Sequence, residues 1–139
     1  MSLTSQQIAT VQYSFRSVQP MSATAAELFY KRLFEIEPAT APLFKRGMRE
    51  QGEHFMRVLA LAVGSLSNGP TLAYMVKQLG VRHASYGVTA EHYDAVRRAL
   101  LWMLAAILQD GYTEEVREAW STAYSMLAGI MKEAAWGEP

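Results

Sequence analysis

The chain has 139 residues, with thirteen basic side chains balancing thirteen acidic ones and hydrophobic residues making up 50% of the total. That length suits one domain with a sizeable core, expected to span residues 1–139. The balanced charge offers no net field to favour nucleic acid or an anionic membrane surface. Cysteine is absent, which excludes disulfide scaffolds, thiolate catalysis and cysteine metal sites together.

The N-terminus "MSLTSQQIAT" lacks the basic segment and apolar run of a signal peptide. The longest strongly apolar stretch, "VLALAVGSL" at 58–66, is too short to span a bilayer. A cytoplasmic protein is therefore expected, with no membrane or nucleic-acid partner.

In chain order, the segments between turns read with helical periodicity. A first helix starts at Thr4, where Thr4 and Gln7 have capping-box spacing, and runs to about Val18 before Pro20 interrupts it. A second spans 23–37, with Leu28, Phe29, Leu33 and Phe34 on one face. Pro38 ends it and opens a short helix to about Phe44, because proline suits a first helical turn. Residues 45–49, "KRGMR", read as a polar connection. A fourth helix, about 50–67, carries Phe55, Val58, Leu59, Ala62 and Leu66 on one face. The turn "SNGP" at 67–70 separates it from a fifth, about 71–84, which carries Leu72, Met75, Val76, Leu79 and finally His83. Gly87 breaks the chain, and Thr89 with Glu91 marks a sixth helix, about 90–108. After "QDGY" a seventh runs over about 113–134, its first-turn acids complementing the helix dipole. No strand pattern or repeat is visible. The fold class is all-α, with about seven helices.

Candidates for chemistry reduce to the histidines and buried polar residues. The acids lie mostly beside basic residues on outer faces and read as solvated surface. His54, His83 and His92 do not form an H-E-x-x-H zinc motif. No Gly-x-Ser-x-Gly turn marks a nucleophilic serine, and no Gly-rich loop marks a phosphate site. His83 follows Leu79 by four positions and so shares the apolar face of its helix. Such an imidazole is either a metal ligand in an apolar cavity or a core histidine satisfied by a backbone carbonyl. Tyr30 sets a hydroxyl among Phe29, Leu33 and Phe34, and a buried tyrosine hydroxyl needs a partner. Gln51 lies four positions before Phe55 on the same stripe. Trp120 and Tyr124, at helical spacing, read as core, and His92 as surface.

The order Leu28-Phe29-Tyr30, Leu33-Phe34, Pro38, Leu43-Phe44, Gln51-x3-Phe55, Arg82-His83-x2-Tyr86-Gly87-Val88, Tyr93, Trp120-x3-Tyr124 resembles the bacterial single-domain globins. It is similar above all to the haem domain of flavohaemoglobins and to related stand-alone bacterial haemoglobins. The resemblance runs from about residue 5 to residue 131 and implies a globin fold, a three-over-three helical sandwich.

The resemblance also implies haem b, iron protoporphyrin IX, with His83 as the proximal iron ligand. Arg82 would lie near a haem propionate, and Tyr93 would hydrogen-bond in the proximal pocket and tune the ligand. Phe44 would pack against the porphyrin, with Phe29, Phe55, Leu79, Val88 and Val96 among its apolar surroundings. Tyr30 and Gln51 match the family's distal pair, which donates hydrogen bonds to bound oxygen and carries the catalytic role. His54 would touch the haem edge or a propionate, or ligate iron as a sixth ligand if the distal helix rotated.

Three positions depart from the family pattern. Phe55 stands where many relatives have leucine, which suggests a tighter distal cavity. Ala135 stands where a glutamate would complete a proximal His–Tyr–Glu network, Glu133 being out of register by two. The chain ends at residue 139 with no flavin or nicotinamide domain, so turnover would require a separate reductase. The expected ligands are oxygen, nitric oxide and carbon monoxide. The expected activity is nitric oxide dioxygenase-type detoxification, with oxygen storage or delivery, or gas sensing without turnover, as the alternative. The oligomeric state stays open between a monomer and a weak homodimer, and Trp136 is available to pack on the core or to meet a partner.

Overall fold

A computed structural model describes residues 3–44, 47–85 and 87–137. Tyr86, part of the expected polar connection (Lys45 and Arg46) and the last two residues of the tail lie outside the described residues.

The architecture is all-α. Helix α1 covers Ser5–Val18, α2 Ser22–Ile36, α3 Met48–Gly64, α4 Gly69–Ser85, α5 Ala90–Leu108 and α6 Glu114–Trp136. The short helix expected after Pro38 is present as 3₁₀ turns over Pro38–Leu43. Two prolines in six residues deny it the donors that an α-helix needs. Gln19–Met21, around Pro20, is 3₁₀ for the same reason. Capping chemistry sets several starts. Thr4 and Gln7 form the reciprocal box expected at α1. At α5 the box joins Thr89 to His92 rather than to an acid, with His92 Nδ1 accepting from the Thr89 N–H at 3.1 Å.

Helices α1, α3 and α4 lie over α2, α5 and α6, with the broadest contacts between α4 and α6 and between α2 and α5. Between the layers runs one core that includes Val11, Phe15, Phe29, Leu33, Val76, Met103, Leu104 and Trp120. Each such large side chain contributes about 1.5–3 kcal/mol by leaving water. Trp120 donates its indole N–H to Ser14 Oγ at 2.8 Å, and that hydroxyl itself donates to the Thr10 carbonyl at 2.8 Å. The acids do sit beside bases at the surface, as in the pairs Arg32–Glu35, Arg98–Asp94 and Arg117–Glu114. Among the described residues no helix is long and apolar enough to cross a membrane.

Two glycines set how closely the layers approach. A Cβ on Gly80 would land on the backbone of Met131, 2.6 Å from its Cα, so α4 meets α6 at van der Waals limits three residues before His83. A Cβ on Gly52 would lie 2.9 Å from the Ala26 Cβ, where α3 crosses α2 beside Gln51. The chain then leaves α4 through Gly87 at φ 93°, a left-handed conformation that side chains resist.

Candidate functional site

The last turn of α4 presents His83, half-buried, with Nδ1 2.8 Å from the Leu79 carbonyl. A carbonyl only accepts, so the proton resides on Nδ1 and the Nε2 lone pair is left for an electrophile. Burial pushes the imidazole's proton affinity below the ordinary value near 6.5, against the Leu79 hydrogen bond that raises it, and the charges of Arg82 and His54 lower it further. The ring is therefore neutral at physiological pH. His54, half-buried on α3, thus lies within electrostatic reach of His83. Arg82 is exposed. Val88, half-buried, donates its N–H to the His83 carbonyl at 3.1 Å and ties the following loop to the helix end.

Tyr30 projects from α2, buried at 5% exposure, and its hydroxyl accepts a bond from Gln51 Nε2 of α3 at 3.4 Å. Its ring stands edge-on to Phe29, Phe44 and Phe55, with centroids 4.9, 5.1 and 5.8 Å away. Phe55 stacks on Phe29 at 4.2 Å, with ring planes 10° apart. Burial raises the Tyr30 pKa to about 12, the Gln51 bond opposing that shift. Behind this cluster an open groove of 1090 Å³ runs between α2 and α3, reaching Tyr30 and Phe34 but not His83. Its rim carries Glu27, Lys31, Glu53 and Arg57, so it is a wetted surface cleft rather than the imidazole's own pocket.

Tyr93 of α5 is 5% exposed and its ring lies 6.4 Å from the His83 imidazole at 26°. Its hydroxyl is buried and has no hydrogen-bond partner among the described residues. Where the resemblance implies a carboxylate, Glu133 is exposed, Ala135 is half-buried, and the Trp136 ring, perpendicular to Tyr93, and the Lys132 ammonium pack on Tyr93 instead. Tyr124, which reads from sequence as core, donates its hydroxyl to the Tyr93 carbonyl at 2.7 Å and so fixes the α5 backbone there. Val96 is half-buried against the core.

A family profile for globins matches residues 27–131. The chain belongs to the globin family. Among curated relatives, this globin is 36% identical to a flavohemoprotein of Rhizobium meliloti over 107 residues, 74% of this chain and 26% of that protein. A flavohemoprotein of Xylella fastidiosa is 34% identical over 79% of this chain and 28% of its own length. The globin thus spans about a quarter of these relatives. Among solved structures, one described as an engineered carbene transferase and candidate nitric oxide dioxygenase of Rhodothermus marinus superposes with a TM-score of 0.86. It shares 27% identity, with 96% of this chain and 94% of that one covered. A bacterial globin of Campylobacter jejuni shares the fold, with a TM-score of 0.81 at 24% identity over 95% and 96% of the two chains.

The globin's residues fit an iron porphyrin. One imidazole has its Nδ1 proton engaged, which leaves the Nε2 lone pair for a metal, the Tyr93 ring lies beside it, and a hydroxyl–amide pair walled by phenylalanine rings joins α2 to α3. Among the described residues no three His, Asp or Glu side chains cluster to hold a bare metal ion. Sequence reasoning did not single out Gly80, Gly52 or Lys132, and it read Tyr124 as core without its bond to Tyr93. Each acts through a contact between helices distant in the chain, and no local pattern marks it.

Proposed function

We propose that this globin binds haem b through His83 Nε2 and holds oxygen and other diatomic gases, nitric oxide and carbon monoxide, beside Tyr30 and Gln51. Its activity is the conversion of nitric oxide and dioxygen to nitrate, with one electron drawn from a separate reductase. The haem supplies the iron that holds and reduces the gas. The protein's own groups do the rest.

The observation that carries this reading is the Gln51–Tyr30 hydrogen bond, 3.4 Å long and walled by Phe29, Phe44 and Phe55. Because the phenol accepts from the amide, its own proton is available to a second acceptor. A pKa raised to about 12 keeps that proton in place at physiological pH. A diatomic ligand carrying partial negative charge would accept it. Each such bond contributes about 1–3 kcal/mol in a desolvated pocket, and about 1.4 kcal/mol is tenfold in affinity. Slow release follows, which favours a protein that keeps oxygen for chemistry over one that delivers it. The flavohemoproteins and the Rhodothermus marinus globin to which this chain is similar support the same reading. Arg82 and His54 are assigned to the propionate edge, and Leu79, Val88 and Val96 to the apolar surroundings of the ring.

The test is nitric oxide consumption by the oxygenated protein with a flavin reductase added. Sustained turnover that falls in Tyr30→Phe supports the proposal. A reversible oxygen complex that leaves nitric oxide unconsumed would turn the reading to storage or sensing.

A further inference from the structure

Three rings run in sequence from the proximal imidazole to the surface. His83 and Tyr93 have centroids 6.4 Å apart, and Tyr93 and Trp136 have centroids 6.2 Å apart at 88°. Exposure rises along the row, from Tyr93 at 5% to Trp136 at 48%. We propose that Trp136 is the surface end of a redox relay in which Tyr93 passes oxidising equivalents outward from the haem side of His83. The proposal rests on the haem reading above and adds to it a route by which the protein survives peroxide.

The oxidant is hydrogen peroxide, which takes up two electrons as its O–O bond breaks, leaving both oxygens at the oxidation level of water. One of those electrons would come from bound ferric haem. Trp136 supplies the second by way of Tyr93, and the indole then sheds its Nε1 proton to solvent. Trp136 becomes the oxidised residue and the peroxide is the species reduced.

The surroundings give the relay its direction. A phenol oxidised to a neutral radical must hand its proton to an acceptor, and the buried Tyr93 hydroxyl has no hydrogen-bond partner among the described residues. The Lys132 ammonium stands over the same ring, with Nζ 5.9 Å from its centroid. A cation there opposes removal of an electron from Tyr93. Tyr93 is therefore a poor resting place for an electron hole. Trp136 is half in water, which takes the proton and screens the charge.

The other two tryptophans serve as internal controls. Trp120 is 3% exposed and its indole N–H is engaged by Ser14. Trp102 lies under the Arg32 guanidinium, 5.4 Å from its ring centroid. Neither packs on Tyr93 among the described residues.

The experiment mixes the ferric, haem-loaded protein with one equivalent of hydrogen peroxide and reads the freeze-quenched sample by electron paramagnetic resonance. Peptide mapping of a sample warmed in air, where dioxygen adds to the indole radical, then locates the oxygenated residue in wild type, which requires no variant to fold. A tryptophan radical in wild type that is lost in Trp136→Phe and weakened in Tyr93→Phe is expected, with oxygenation concentrated on Trp136. A tryptophan signal surviving in Trp136→Phe, a tyrosyl signal alone in wild type, or oxygenation centred elsewhere overturns the relay. The visible spectrum taken before peroxide separates the two readings. A chain that takes up no haem overturns both, whereas a haem-loaded chain with no Trp136 radical overturns the relay alone.

Discussion

Gln51 Nε2 and Tyr30 Oη lie 3.4 Å apart, joining α3 to α2 across a pocket of aromatic rings. The amide can only donate in that contact, so the phenol keeps its own hydrogen for a ligand. This one geometric relationship sets both how Tyr30 and Gln51 are held and which hydrogen remains for another acceptor.

Removing the phenol oxygen is therefore expected to speed oxygen release. Tyr30→Phe leaves the ring contacts in place and deletes about 1–3 kcal/mol of hydrogen bonding, a rise in dissociation rate of about fivefold to a hundredfold. Gln51→Leu should act in the same direction. Because the two residues bond to each other, the double variant should fall short of the summed effects. Stopped-flow oxygen release measures all three, and strict additivity would show that the residues act separately.

Phe55 closes the same space by stacking on Phe29 at 4.2 Å. Phe55→Leu forfeits that pair, worth about 0.5–1.5 kcal/mol beyond area, and opens room beside Tyr30. A lower urea midpoint with faster carbon monoxide association is the expected outcome. An unchanged association rate would show that Phe55 does not limit entry.

Gly80 governs the proximal helix. In Gly80→Ala the new methyl strikes backbone atoms of Met131, which yield less readily than a flexible side chain. Overpacking of this kind costs about 1–3 kcal/mol, and α4 must move away from α6, carrying His83 with it. Thermal unfolding and the rate of haem transfer to an apo-globin acceptor should both change. A variant as stable and as retentive as wild type would show that the close approach is not needed.

The burial that lowers the proton affinity of His83 makes the stability of the haem-free protein depend on pH. The unfolded chain takes up a proton near the ordinary imidazole value of 6.5 while the folded ring remains neutral, so the unfolded state binds more protons in that window. Stability is then fully present above about pH 6.5 and is lost as pH falls through the lower folded value. Urea unfolding between about pH 5 and 8 should show this slope in wild type and a smaller one in His83→Leu. Equal slopes would assign the effect to other groups.

Tyr124 holds the Tyr93 carbonyl at 2.7 Å. In Tyr124→Phe the loss of that bond should lower stability by about 0.5–1.5 kcal/mol. The change should also be felt at His83, as a shift in the iron–histidine stretch of the reduced protein. A stability change without the spectroscopic one would limit Tyr124 to packing.

The all-α class, the helix order and the faces carrying His83, Tyr30 and Gln51 were legible in the sequence, because periodicity and caps are local. Thr4 with Gln7, Pro20 and Pro38 set boundaries through interactions within a few residues, and Leu79 and His83 share a face by virtue of their spacing. The short helix expected after Pro38 is 3₁₀ for an equally local reason. Other relationships joined helices far apart in the chain. The fit of Gly80 to Met131, the Tyr124 bond to Tyr93, the reach of His54 to His83 and the row from Tyr93 to Trp136 depend on how α3, α4, α5 and α6 pack. Local pattern chose the helices and their apolar faces, and close packing between those faces decided which polar groups met.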